Sequence, residues 1–187
     1  MCKEIAKIEA AKRQLDCAIR LYYDEEDSLS IHTLAHASFM VLYDLLKESD
    51  TRGRYQDIQK NMEKIGWKNI NQVPNFLKHA DRDSGEKLPG HEPGQVEHLI
   101  GLSLIMYGEI TRNVTPEMYV FHISTKIRYP DLFNLPTDED AEFEDAFRKG
   151  AEHMKTADWS VQILPGKAFL IAVRENPELL EGKLELT

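Results

Sequence analysis

A chain of 187 residues, 42% of them hydrophobic, is long enough for one domain whose core needs neither disulfide nor metal as a staple. Its formal net charge of -9 argues against nonspecific attraction to a phosphate backbone, which depends on clustered Lys and Arg releasing counterions. The two cysteines, Cys2 and Cys17, lie about four turns apart on one expected helix, too far to bridge, which fits a reducing cytosol.

The segment Met1-Cys2-Lys3-Glu4 passes directly into a charged amphipathic pattern, with neither an export signal nor a lipidation motif. Ile5, Ile8, Ala11, Leu15, Ile19 and Tyr22 then recur at three- and four-residue steps, which predicts a first helix from Glu4 to Tyr23. The acidic run Asp24 to Asp27 breaks the pattern, and Ser28 or Ser30 is the expected N-cap of a second helix. From Ile31 to Tyr43 no residue is formally charged, while Ile31, Leu34, Ala35, Ser38, Val41, Leu42, Leu45 and Leu46 keep helical spacing. Such a helix belongs at the centre of a bundle.

Arg54 to Ile65 reads as a more exposed third helix closed by Gly66, and Asn69 to Asp81 as a fourth, with Pro74 tolerated if that helix begins near Val73. Lys60, Lys64 and Lys68 form a solvated stripe. The run Arg82 to Gly94 holds three glycines and two prolines and must be a loop. It leads into a fifth helix, Gln95 to Thr111, uncharged between Glu97 and Glu109 and so the natural partner of the second. The weakly charged run Leu99 to Gly108 is too short to span a bilayer, so a soluble, cytoplasmic protein without a membrane partner is expected.

Thr115-Pro116-Glu117 starts a sixth helix, Met118 to Tyr129, although Tyr119, Phe121 and Ile123 also alternate as in a strand. Thr137-Asp138-Glu139-Asp140 starts another, with Phe143, Phe147, Ala151 and Met154 on its inner stripe. Beyond it, Trp159, Val161 and Ile163 alternate briefly, Pro165-Gly166 makes a turn, Ala168 to Val173 forms a short helix, and Pro177 begins one more turn. The expected fold is all-α: a single-domain bundle of about six or seven helices over residues 1–155, with an irregular tail, 156–187, packed on it.

Polar chemistry gathers after residue 74. Asn75 and His79 are one helical turn apart, Lys78 and Arg82 form an adjacent stripe, and Asp81 and Asp83 add carboxylates. A His braced by a carboxylate and a carboxamide can act as a general base or hold a phosphate, so Asn75, His79, Asp81 and Asp83 are the candidate catalytic residues. Lys78, Arg82 and His91, the last in the Gly/Pro loop, are candidate ligand contacts. The plainer role for Asn75 and His79 is to brace the junction of helix and loop.

The pattern Asn75-Phe76-Leu77-Lys78-His79 resembles the Asn-to-His spacing of the HEPN superfamily, small helical domains of toxins, RNases and nucleotidyltransferase partners. The likeness covers about the first two thirds of the chain. It implies an RNA- or nucleotide-handling domain with Asn75 and His79 in a composite site at a dimer interface. The signature Arg that would bind the scissile phosphate is replaced by Pro74, which cannot. The chain is also similar to small bacterial proteins with an Asn-Phe-x-Lys-His-Ala-Asp segment, a likeness that brings no activity with it.

His32 and His36, four apart on a helix, could share a divalent transition metal with His98 from a facing segment, or with His79, Asp83, His91 or Glu97. Against that stand the lack of a neighbouring catalytic Glu and of any Glu-x-x-His pair, so no cofactor is expected as the first reading. Phe39, Tyr43, Phe121, Phe143 and Phe147 read as core, with Trp159 pinning the tail. Gly-x-Gly-x-x-Gly, Walker and Gly-x-Ser-x-Gly sequences are absent, as are Cys pairs at zinc spacing.

The reading these residues favour is a noncatalytic bundle acting through self-association, as a homodimer formed by an outer apolar stripe of helix one, or through a protein partner. A HEPN-like domain at Asn75 and His79, with RNA as partner, is the first alternative. A metal-dependent enzyme at His32 and His36 is the second.

Overall fold

The amphipathic start of the chain folds as helix α1, Lys7–Tyr23, and the uncharged run after it as α2, Ser28–Lys47. The turn between them places Glu25 at φ 58°, with the Glu26 amide bonded back to the Leu21 carbonyl. Asp27, not Ser28 or Ser30, caps α2: its carboxylate accepts from both the amide and the hydroxyl of Ser30 at 2.9 Å. Those two bonds hold the Asp27 carboxyl below its usual range. The computed structural model describes residues 4–49, 52–88, 90–91, 94–129 and 156–184. Among the described residues all regular structure is helical and there is no strand, so the fold is all-α.

Two compact units result, one reaching to Val114 and the other running from Thr115 to Leu184. In the first, α2 packs on α1 and on α7, Gly94–Thr111, while α1 also touches α7. The α1 stripe is used inside this unit: Ala11, Leu15, Ala18, Ile19 and Tyr22 are fully buried. Each large apolar side chain so buried contributes on the order of 1.5–3 kcal/mol. The Ser38 hydroxyl crosses to the Ala11 carbonyl at 2.9 Å, and buried Tyr22 donates its hydroxyl to the buried Glu97 carboxylate. By length and mean hydropathy α2 could cross a membrane. Its seat between α1 and α7, with Ile31, Phe39, Leu42 and Leu46 buried there, is that of a core helix.

Helix α3, Arg52–Ile65, stops at Gly66 as expected, because Gly66 takes φ 84°, a conformation that side chains rarely adopt. The expected fourth helix is instead three short ones: α4, Trp67–Ile70, α5, Gln72–Lys78, and α6, Ala80–Asp83. Pro74 has no N–H for the Ile70 carbonyl, so the helix restarts at Asn71, whose amide and carboxamide both bond the Trp67 carbonyl at 3.0 Å. His79, at φ -112° and ψ 30°, makes the second break. Trp67 stands against Phe39 and Tyr43, and Tyr55 stands against Tyr43, so α4 and α3 rest on α2 through rings.

In the second unit, α8, Pro116–Arg128, resolves the helix-or-strand ambiguity in favour of helix. The Thr115 hydroxyl caps it by accepting from the Met118 amide at 3.2 Å, and Pro116 sits in the first turn. Helix α9, Trp159–Glu175, packs on α8 and ends in a 3-10 turn, Pro177–Leu180. The turn expected at Pro165-Gly166 and the irregular start of the tail are therefore corrected: one helix runs through Pro165. Proline leaves the Val161 carbonyl without its helical donor, but Val161 and Pro165 lie on the exposed face where water serves it. The helix expected around Phe143, Phe147, Ala151 and Met154 lies outside the described residues.

Candidate functional site

Helix α2 carries His32 and His36 one turn apart, their rings stacked 6.2 Å between centroids and 13° from parallel. Asn71, at the start of α5, reaches His36: its carboxamide oxygen lies 3.0 Å from His36 Nε2. Because the Asn71 amide nitrogen is bonded to the Trp67 carbonyl, the oxygen must face His36, which places the imidazole proton on Nε2. Burial lowers the His36 pKa, the Asn71 bond opposes that, and Lys78 lowers it further.

His32 is the less ordinary of the two. Its residue is 4% exposed, and neither ring nitrogen has a hydrogen-bond partner among the described residues. The Ile70 carbonyl acts on the ring as an acceptor without reaching hydrogen-bond geometry. Burial above all, then His91 and His36, push the His32 pKa down to about 4, so the ring is neutral at pH 7. His91, from the glycine-containing loop, stands edge-on to it, 4.9 Å between centroids and 68° between planes. The loop is tied on each side, by His91 Nδ1 to the Gln95 carboxamide oxygen at 2.7 Å and by the Ser28 hydroxyl to the His91 carbonyl at 3.4 Å. His91 Nε2 is buried and likewise has no partner among the described residues.

These rings border a cavity of about 400 Å³ in the first unit. Its described walls come from every element around it: His32 of α2, Met62 and Ile65 of α3, Asn69 and Ile70 of α4, Gln72 and Val73 of α5, Leu88, Gly90 and His91 of the loop, and Gln95, His98, Leu99 and Leu102 of α7. No Lys, Arg, Asp or Glu is among them. The volume lies within the range of small-molecule pockets, equal to roughly thirteen liquid waters.

The candidates drawn from sequence therefore part company. His32, His91 and His98 border the cavity, and His36 is outside its described lining, bonded to Asn71. Asn75, Lys78, Asp81 and Arg82 are exposed and His79 is half-buried, and none of these five is in the described lining. Arg82 Nε lies 3.8 Å from Asp81 at the surface. The His79 backbone amide donates to the Asn75 carbonyl at 3.1 Å, an ordinary helical bond at the end of α5 that uses neither side chain. Asp83 ends α6, and its side chain lies outside the described residues. Among the described residues no three His, Cys, Asp or Glu side chains are placed to hold one metal ion, so His32, His36 and His98 do not form a ready metal shell.

Sequence reasoning missed Asn71 and Gln95, which set the tautomers of His36 and His91. The spacing His91-x-x-x-Gln95 was the available signal for one; Asn71 had none, since its contact with His36 is made between elements. A second cavity, of about 310 Å³, lies in the other unit between α8 and α9, bordered by Ile123, Ile127, Phe169 and the buried Arg128. No family model matches this chain, and no curated protein or solved structure does either.

Proposed function

We propose that the first unit is a noncatalytic binding module that holds a small, largely apolar molecule in the cavity beside His32. The observation that carries this reading is a nearly fully buried histidine with both nitrogens unpaired among the described residues, at the wall of an apolar cavity. Leaving a polar group so placed costs about 1–3 kcal/mol, a cost that an incoming hydrogen-bonding ligand recovers. This reading makes the partner a small molecule at a site inside the unit, where the sequence suggested a second copy of the chain, a protein or RNA.

The test is a fluorescence titration with N-phenyl-1-naphthylamine, a neutral dye that brightens in apolar surroundings. Saturable binding at one site is expected, weakened at least tenfold by Leu102→Trp, which fills the cavity from α7. Asn75→Ala and His79→Ala, in the exposed polar corner, should bind as the wild type does. Equal binding by Leu102→Trp and wild type overturns the reading. RNA cleavage that His79→Ala abolishes would move the function to the polar corner and to the HEPN-like alternative.

A further inference from the structure

The walls of the cavity say more than that it is apolar. Burying a charge without a counter-charge is far more costly than burying a hydroxyl that finds a hydrogen bond. The described lining has no formally charged side chain to offer; its polar members are His32, His91, His98, Asn69, Gln72 and Gln95. The geometry of the two meeting rings narrows the choice again. With the Gln95 oxygen against His91 Nδ1, that nitrogen carries the proton and Nε2 keeps its lone pair. The neutral His32 ring carries one N–H and one lone pair, and neither finds a partner among the described residues.

Resting on the binding reading above, we infer that the ligand is a neutral molecule with an apolar body and a hydroxyl head that hydrogen-bonds to the His32–His91 pair. A hydroxyl can donate to the His91 lone pair and accept from the His32 N–H at once, whereas an ether or carbonyl oxygen can only accept. The edge-on contact of the two rings closes over these nitrogens, so the head reaches them by displacing the His91 ring, with the exposed Gln95 side chain following its Nδ1. His91 is suited to that because it sits on a loop and is only half-buried, whereas His32 is locked in α2.

The experiment compares four probes of one shape at pH 7.5 by titration calorimetry: 2-naphthol, 2-methoxynaphthalene, 2-naphthoate and 2-naphthylmethylammonium. 2-Naphthol should bind at least tenfold more tightly than each of the others. In His32→Leu, and independently in His91→Leu, its advantage over the methoxy compound should shrink to twofold or less. A site that must pair a buried polar group discriminates against the analogue lacking the hydroxyl, whereas an apolar wall does not. Binding of the methoxy or a charged probe as tight as that of 2-naphthol overturns the head-group assignment and leaves the cavity reading standing. So does an advantage that survives both substitutions. Failure of all four probes to bind overturns both.

Discussion

Replacing His32 by leucine should stabilise the first unit, and stabilise it more as the pH falls. At pH 7 the substitution removes two buried nitrogens without partners among the described residues, a gain of about 1–3 kcal/mol, and forfeits the edge contact with His91, a loss of about 0.5–1.5 kcal/mol. The net is on the order of 1 kcal/mol, or a shift of roughly 0.5 M in the urea midpoint. The acid side supplies the larger signal. The His32 pKa falls from 6.5 to about 4 on folding, so the unfolded chain takes up a proton that the folded one refuses. Stability is therefore intact above pH 6.5 and lost as the pH drops, by about 2 kcal/mol at pH 5 and about 3 kcal/mol at pH 4. His122 is shifted the same way by burial, but it lies in the other unit and cancels in the difference, whereas His36, also lowered by burial, stacks on His32 and its shift changes with the substitution. Trp67, packed against Phe39 and Tyr43, reports on this unit alone once Trp159 is replaced by phenylalanine. Urea unfolding followed by Trp67 emission at pH 7.5, 6, 5 and 4.5 should show the leucine variant gaining steadily on its parent. A difference that stays flat across that range, or a variant less stable at every pH, would mean that the imidazole is hydrated or paired, and the account of the cavity wall would be wrong.

Asn71→Leu leaves the buried Nε2–H of His36 without its acceptor and removes the Asn71–Trp67 bond, so the same urea assay should register a loss of about 1–3 kcal/mol. Gly66→Ala has room for its methyl group, 3.7 Å from the Asn69 side-chain nitrogen, but not the backbone freedom for φ 84°; a loss of about 1–3 kcal/mol in the urea midpoint analysis is expected.

The central placement of α2 and α7 was legible in the sequence because a helix without charge on any face has nowhere else to go. Gly66 as a helix stop and Thr115-Pro116 as a helix start were legible for a similar reason: their chemistry acts within a few residues along the chain. Local patterns were weaker guides where two local rules competed. Pro74 divided an expected helix while Pro165 did not, and what separated them was exposure: Pro74 is buried beside a break supplied by Asn71, whereas Pro165 faces solvent. Among the candidate residues, the sequence located the histidines but not their company. Asn75 and His79 look like a site because they are one turn apart, yet the structure leaves Asn75 exposed and His79 at a helix end. His32 and His91 are 59 positions apart, and only the packing of α2, the short helices and the loop around one cavity brings their rings to 4.9 Å. Helical periodicity tells which residues go inward, since that depends on neighbours three and four places away. Which inward-facing residues meet depends on how whole helices pack, and that is decided only in the tertiary fold.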